Sequence, residues 1–197
     1  MKILIITLLT LISPQLGFSE STAAPQPTVM PYMEAWIKAS TPREEHRLLG
    51  QFVGRWNHTV KWRMTPDAKP EESIGTTEVE AIMGGRFIRQ TAKGTSMGQP
   101  FEGLGLIGFD NVQERFSTVW LDNMGTAMMV GSGVFDAHTK SIVDKGSFSC
   151  PLSETKSRTY RAVLTLPVKN SYHYEFFTLD EQGKEFKMME ILYNKAS

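Results

Sequence analysis

The residues with chemistry to offer sit on alternating positions of apolar runs. Trp56, His58, Val60 and Trp62 alternate with Asn57, Thr59, Lys61 and Arg63, the two-residue period of a strand with one aromatic face and one basic, polar face. The aromatic face belongs inside and the basic face outside. His58 in that setting reads as a hydrogen-bonded core histidine; the sharper reading is an axial haem ligand, a role for which His173, between Tyr172 and Tyr174, competes. Neither carries a haem-attachment pattern, so no cofactor is assigned. Arg86, Ile88, Gln90 and Ala92 share a face of another run. If that face is inward, Arg86 is a buried cation that needs a partner, with Asp122 and Glu190 as candidates. An ion pair of that kind is structural, whereas an unpaired Arg86 would bind a ligand carboxylate. Trp120 and Asp122 share a face by the same period; the acid can orient a ligand or cap the turn Asn123-Met124-Gly125 through its backbone. The candidate ligand-binding interior is therefore Trp56, His58, Trp62, Arg86, Trp120 and Asp122.

Several other patterns come to nothing on inspection. Gly103-Leu104-Gly105-Leu106-Ile107-Gly108 matches G-x-G-x-x-G, but Phe109-Asp110-Asn111 follows it as a turn into another strand. A dinucleotide site needs a helix opening there. As a strand, the segment places Gly103 and Gly105 on one bare face, where a neighbour can pack against the backbone or a cavity can open. The four histidines lack metal-ligand spacing and nothing resembles a calcium loop, so no metal is assigned. Gly-x-Ser-x-Gly is absent and no acid pair stands out. The single cysteine, Cys150, cannot form an intrachain disulfide and reads as a semi-buried structural thiol.

These residues need a frame. Period-two runs recur at 55–63, 73–82, 86–93, 101–109, 115–121, 126–135, 141–149, 158–166, 171–179 and 184–193, separated by turn signals such as Gly84-Gly85, Asp122-Asn123 and Lys169-Asn170. No helical run interrupts them, which excludes parallel βαβ units. The expected fold is all-β: an up-and-down antiparallel barrel of about ten strands, with a two-sheet sandwich as the runner-up. Ahead of the strands, 30–40 has helical composition. Thr41-Pro42-Arg43-Glu44-Glu45 reads as a helix start with Thr41 as N-cap, ending near Leu49-Gly50. That short helix would plug one barrel end above Trp56.

The segments Gly54-Arg55-Trp56, Met83-Gly84-Gly85-Arg86-Phe87, Pro100 to Gly105, Gly108-Phe109-Asp110-Asn111 and Trp120 to Thr126 together resemble a bacterial family called domain of unknown function 1579. The likeness continues through Gly131-Ser132-Gly133 to Met189-Glu190-Ile191 and Tyr193. It implies a lipocalin-like barrel and no activity. Gly-x-Trp after a short helix is also the first-strand feature of lipocalins proper, although the arginine expected on the final strand to pack on that Trp is missing here.

Residues 1–24 read as a signal peptide: Lys2, an apolar run over 3–12, a break at Ser13-Pro14, and small residues at Ser19, Ser21, Ala23 and Ala24. The run is too short to span a bilayer, so no membrane span is expected once the signal is removed. A lead-in over 25–40 and a barrel domain over 41–197 complete the organisation, with export to the periplasm or medium as the expected location. Lys+Arg and Asp+Glu are both 21, a balance that argues against nucleic acid as a partner. Three function classes remain. The first is a binder of a small apolar or amphipathic ligand inside the barrel. The second is an envelope interaction module that forms a homo-oligomer, suggested by strands apolar on both faces around Met188, Met189, Ile191 and Leu192. The third, an enzyme, has only Arg86, Asp122 and His58 to draw on.

Overall fold

Strands begin where the two-residue alternation begins. The structure, a computed structural model, describes residues 30–197, so the expected signal peptide lies outside the described residues. Two short helices, α1 (Pro31–Ser40) and α2 (Glu44–Gly50), lead into ten strands: β1 (Gly54–Trp62), β2 (Glu71–Ile82), β3 (Phe87–Ser96), β4 (Gln99–Asp110), β5 (Arg115–Asp122), β6 (Met129–Asp136), β7 (Ser141–Ser149), β8 (Ser157–Thr165), β9 (Ser171–Leu179) and β10 (Glu185–Lys195). Each pairs antiparallel with its sequence neighbours, and β1 pairs with β10 from Trp56↔Lys195 to Trp62↔Met189. The result is a closed up-and-down barrel with no free edge. Closure selects the barrel over the sandwich.

One end is capped. Leu49 of α2 and Phe52 after it are 0% and 2% exposed, above a Trp56 that is 1% exposed. The Trp56 indole N–H donates to the Phe52 carbonyl at 2.8 Å, so the buried ring leaves no polar atom unpaired. Tyr172 meets both rings edge-on at 5.1 and 4.7 Å and stacks on Tyr193 at 4.2 Å. Burying an aromatic or leucine side chain of this kind contributes about 1.5–3 kcal/mol. The final strand supplies Lys195, whose Nζ lies 5.2 Å from the Trp56 ring centre. The final strand thus places a cation beside the buried indole.

The helix start differs from expectation. Thr41 does not cap α2; its hydroxyl donates back to the Ile37 carbonyl at 2.6 Å and closes α1 instead. Asn111 Nδ2 donates to the Ala39 and Thr41 carbonyls, both at 2.8 Å, and holds the chain extended there. The helix therefore opens after Arg43, whose N–H is accepted by His46 Nδ1 at 2.9 Å.

Candidate functional site

The barrel interior divides by strand. On β1 and β2 it is filled. His58 is 7% exposed, its Nδ1 is 2.8 Å from Thr77 Oγ1, and its ring meets Tyr193 edge-on at 5.8 Å. A Cβ on Gly75, opposite it, would come within 2.5 Å of His58 Nε2. Burial lowers the His58 pKa, which favours the neutral ring. His173 points outward and is exposed, so no second histidine faces the interior from β9.

From β3 round to β10 the interior is packed near the capped end, by Ile88, Phe116, Ile142 and Tyr172, and open beyond it. A cavity of about 120 Å³ lies between Gln90, Trp120, Met129, Tyr160, Leu164 and Tyr193, among other side chains. The bare face of β4 positions one wall. Trp120 lies across Gly103 and Gly105; a Cβ on either would meet the indole, at 3.1 Å for Gly105. Phe101 stacks on Trp120 at 6.5 Å and 17°. The Trp120 N–H donates to Asp122 Oδ2 at 2.8 Å, while Asp122 Oδ1 accepts the Met124 N–H at 3.0 Å. Asp122 therefore both caps the turn and orients the tryptophan.

The adjoining wall, on β7, carries a group that draws less notice in the sequence. Asp144 on β7 is 7% exposed and lines the cavity. Its Oδ2 accepts hydrogen bonds from Thr118 Oγ1 at 2.7 Å and from the Tyr160 hydroxyl at 3.1 Å. No lysine, arginine or histidine among the described residues pairs with it. Burial pushes its carboxyl above the usual carboxylate range, and the two hydroxyl donors pull the other way. Burial and the Asp144 charge likewise drive the Tyr160 phenol far up, and burial pushes Tyr193 up to about 12. Both phenols are thus held neutral; Tyr160 donates to Asp144, and Tyr193 accepts from Gln90 Nε2 at 3.3 Å. Room for the carboxylate comes from glycines: a Cβ on Gly131 would strike Tyr160, Asp144 and Thr118, and one on Gly133 would approach Asp144 Cβ to 2.7 Å. The signal was present in the alternation Ile142, Asp144, Gly146, Phe148 against Val143, Lys145, Ser147, Ser149. It puts one acid on the apolar parity of a strand.

The other expected site residues are dispersed. Trp56 belongs to the capped end. Trp62, at the far end of β1, borders a separate hollow of about 230 Å³ with Arg63, Lys187 and Met189. Arg86 is not inside the barrel and pairs with neither Asp122 nor Glu190. The turn Met83-Gly84-Gly85 has φ of 50, 67 and 79°, so β3 starts only at Phe87 and Arg86 remains on the rim. Its Nη2 and Nε donate to the Ser40 carbonyl at 2.8 and 3.1 Å, tying the end of α1 to the barrel. Glu190 faces outward and is held by Lys187 at 2.5 Å. Cys150 is 6% exposed and free, as a structural thiol would be. Among the described residues no three His, Cys, Asp or Glu side chains gather as a metal would require, and no helix is long and apolar enough to cross a membrane.

Fold and interior together define a small closed antiparallel barrel with a pocket in one side of its core. The chain belongs to the family described as protein of unknown function (DUF1579), whose profile matches residues 41–195. A comparison with curated proteins finds no match. Among solved structures the chain is similar to Rv2717c from M. tuberculosis, with TM-score 0.58 and 12% identity over 80% of this chain and 100% of that one. It is also similar to the S-type phycobiliprotein lyase CPES from Guillardia theta, with TM-score 0.55 and 11% identity over 82% of this chain and 97% of that one. At these identities the likeness is one of fold.

Proposed function

We propose that this protein is an exported binder of a small, largely apolar ligand held inside the barrel. The observation that carries the reading is the cavity of about 120 Å³ walled by Trp120, Met129 and Leu164, with Asp144, Tyr160 and Gln90 reaching it. Apolar walls with a few placed polar groups are the usual make-up of a small-molecule site. The volume suits a single ring, since a dry protein cavity of about 150 Å³ takes up benzene. The barrel shared with a phycobiliprotein lyase is in keeping with the reading, because the architecture there serves a protein named for an activity. Export is read from the signal-like residues 1–24 and is checked by sequencing the N-terminus of protein recovered from outside the cytoplasm. Toluene and phenol titrated against thermal unfolding test the binding. A ligand that binds only the native state at a hundred times its Kd stabilises by about 2.7 kcal/mol, so a saturable rise in Tm is expected. No rise with any single-ring compound contradicts the reading.

A second reading, self-association, rests on the outer surface. Leu104, Leu106, Val119, Leu121, Val130 and Val134 form an uncharged outward band on β4–β6, with Leu121, Val130 and Val134 36%, 57% and 55% exposed. The ion pairs Arg55–Glu78, Arg89–Glu80 and Arg161–Glu185 lie on other strands, and the Lys93–Glu102 pair borders the band at the start of β4. An uncharged patch can face its own copy across a two-fold axis without like-charge repulsion. Light scattering of the purified protein, against a Val130→Lys variant, checks this: a dimer that the lysine dissociates supports it, and a monomer at all concentrations removes it.

A further inference from the structure

A buried carboxylate without a counter-ion is costly unless something completes it, because desolvation exceeds what two hydroxyl donors return. Asp144 is such a group, and its two oxygens are unequal. Oδ2 takes both protein donors, Thr118 and Tyr160. Among the described residues no donor reaches Oδ1, which, unlike Asn111 Oδ1 and Ser132 Oγ, is not a sealed atom, and Asp144 lines the cavity. The remaining polar groups on the cavity wall, Gln90, Thr118, Tyr160, Tyr174 and Tyr193, are all neutral. Nothing in the wall supplies positive charge. Burial disfavours the ionised form of Asp144, and no protein cation offsets that effect.

From this arrangement we infer that the pocket takes a single-ring aromatic amine, with the ammonium docked on Asp144 Oδ1 and the ring lying among Trp120, Met129 and Leu164. The inference rests on the cavity-binding reading above and adds the ligand's chemistry. Electrostatic complementarity argues for an ammonium: an acid would meet like charge, and a plain hydrocarbon would leave Oδ1 unpaired. A metal ion is a poor fit, because Asp144 is the sole carboxylate on the wall and the neighbouring donors are neutral hydroxyls. The tyrosine and tryptophan rings that share the cavity wall with Asp144 suit a cationic group. The pair Gly131 and Gly146 has a purpose in the same scheme. A side chain at either would meet the Tyr160 hydroxyl, and so would disturb the group that fixes Oδ2 and leaves Oδ1 free.

The test is calorimetric titration of the full chain with benzylamine, benzyl alcohol, toluene and benzoate, repeated on Asp144→Asn. A hydrogen bond to a buried charge corresponds to roughly tenfold to hundredfold in affinity. Benzylamine is therefore expected to bind at least about tenfold tighter than toluene or benzoate, with benzyl alcohol between. Asp144→Asn is expected to remove that advantage while leaving toluene within about twofold. Should the variant fail to fold, the wild-type series still decides, together with the Asp144 side-chain carboxyl carbon resonance, which must move with benzylamine and stay with toluene. Benzylamine no tighter than toluene, or unaffected by Asp144→Asn, overturns the inference and leaves the pocket reading standing. Failure of all four compounds to bind overturns both.

Discussion

The two sides of the barrel interior are built from similar residues and end in opposite conditions. At the capped end the core is tight: Trp56, Phe52, Tyr172 and Tyr193 meet ring to ring, and the indole N–H and the His58 ring nitrogen Nδ1 have near partners. From β3 to β10 the same supply of aromatic side chains encloses a void and an acid with one oxygen unpaired. The first side can be explained by folding alone, whereas the second gives up packing and solvation that a purely structural core would keep. Tight packing is thus concentrated at the capped end and open volume on the side walled by β3 to β10.

The largest effect that would break this division is expected at the capped end. Trp56→Ala removes a fully buried ring, its hydrogen bond and the contact with Lys195, and should lower unfolding free energy by about 3–5 kcal/mol. Met129→Ala, on a side chain that already faces the void, should lose less than about 2 kcal/mol. Denaturant unfolding of both variants compares the sides directly, and equal losses would contradict the division.

Next comes Gly131→Ala. Its Cβ strikes Thr118, Asp144 and Tyr160, and overpacking of this kind should cost about 1–3 kcal/mol. Because the methyl intrudes where Asp144 is held, ligand-induced stabilisation should disappear along with it, which a thermal unfolding series with and without ligand would read.

The two sides should also respond to pH in opposite senses. The raised native pKa of Asp144 means that its contribution to stability is fully present below the ordinary carboxylate pKa and is lost as pH rises through the native value. The lowered pKa values of His58 and His46, both from burial, mean that their contribution is present above the ordinary histidine pKa and is lost as pH falls through the native values. Asp144→Asn should therefore stabilise the ligand-free protein more at pH 7 than near pH 4. His58→Gln should flatten the loss of stability below about pH 6.5. Chemical denaturation across pH checks both, and a variant that tracks the wild type at every pH would remove that residue from the account. The smallest effect is expected from Arg86→Ala, which frees α1 from the rim at a cost within about 1 kcal/mol. It should speed hydrogen exchange in α1 and leave ligand affinity unchanged.

The strand pattern was legible because each strand buries one face, and a closed barrel carries that alternation round the sheet, interrupted on β10 by a register shift between Lys187 and Met189. The close approach of a neighbour to Gly103 and Gly105 was legible for the same reason, and Trp120 is that neighbour. Arg86 was misplaced because parity counting carries through a turn unless the turn's positive φ angles are foreseen, and non-glycine Met83 gives little warning of one. Thr41 was misread because a threonine between two helical segments can close the first or open the second, and Asn111, 70 residues away, settles which. Asp144 was readable from parity yet stood behind more conspicuous candidates. The cavity itself was not readable, since its volume depends on the register of all ten strands at once.

The most direct measurement is an NMR titration of the full chain with benzylamine, following the indole N–H signals of Trp120 and Trp56. If ligands enter the hollow side and the capped end stays solid, the Trp120 signal moves saturably and the Trp56 signal stays in place. Movement of Trp56 to the same extent, or no saturable movement of Trp120, would contradict the account.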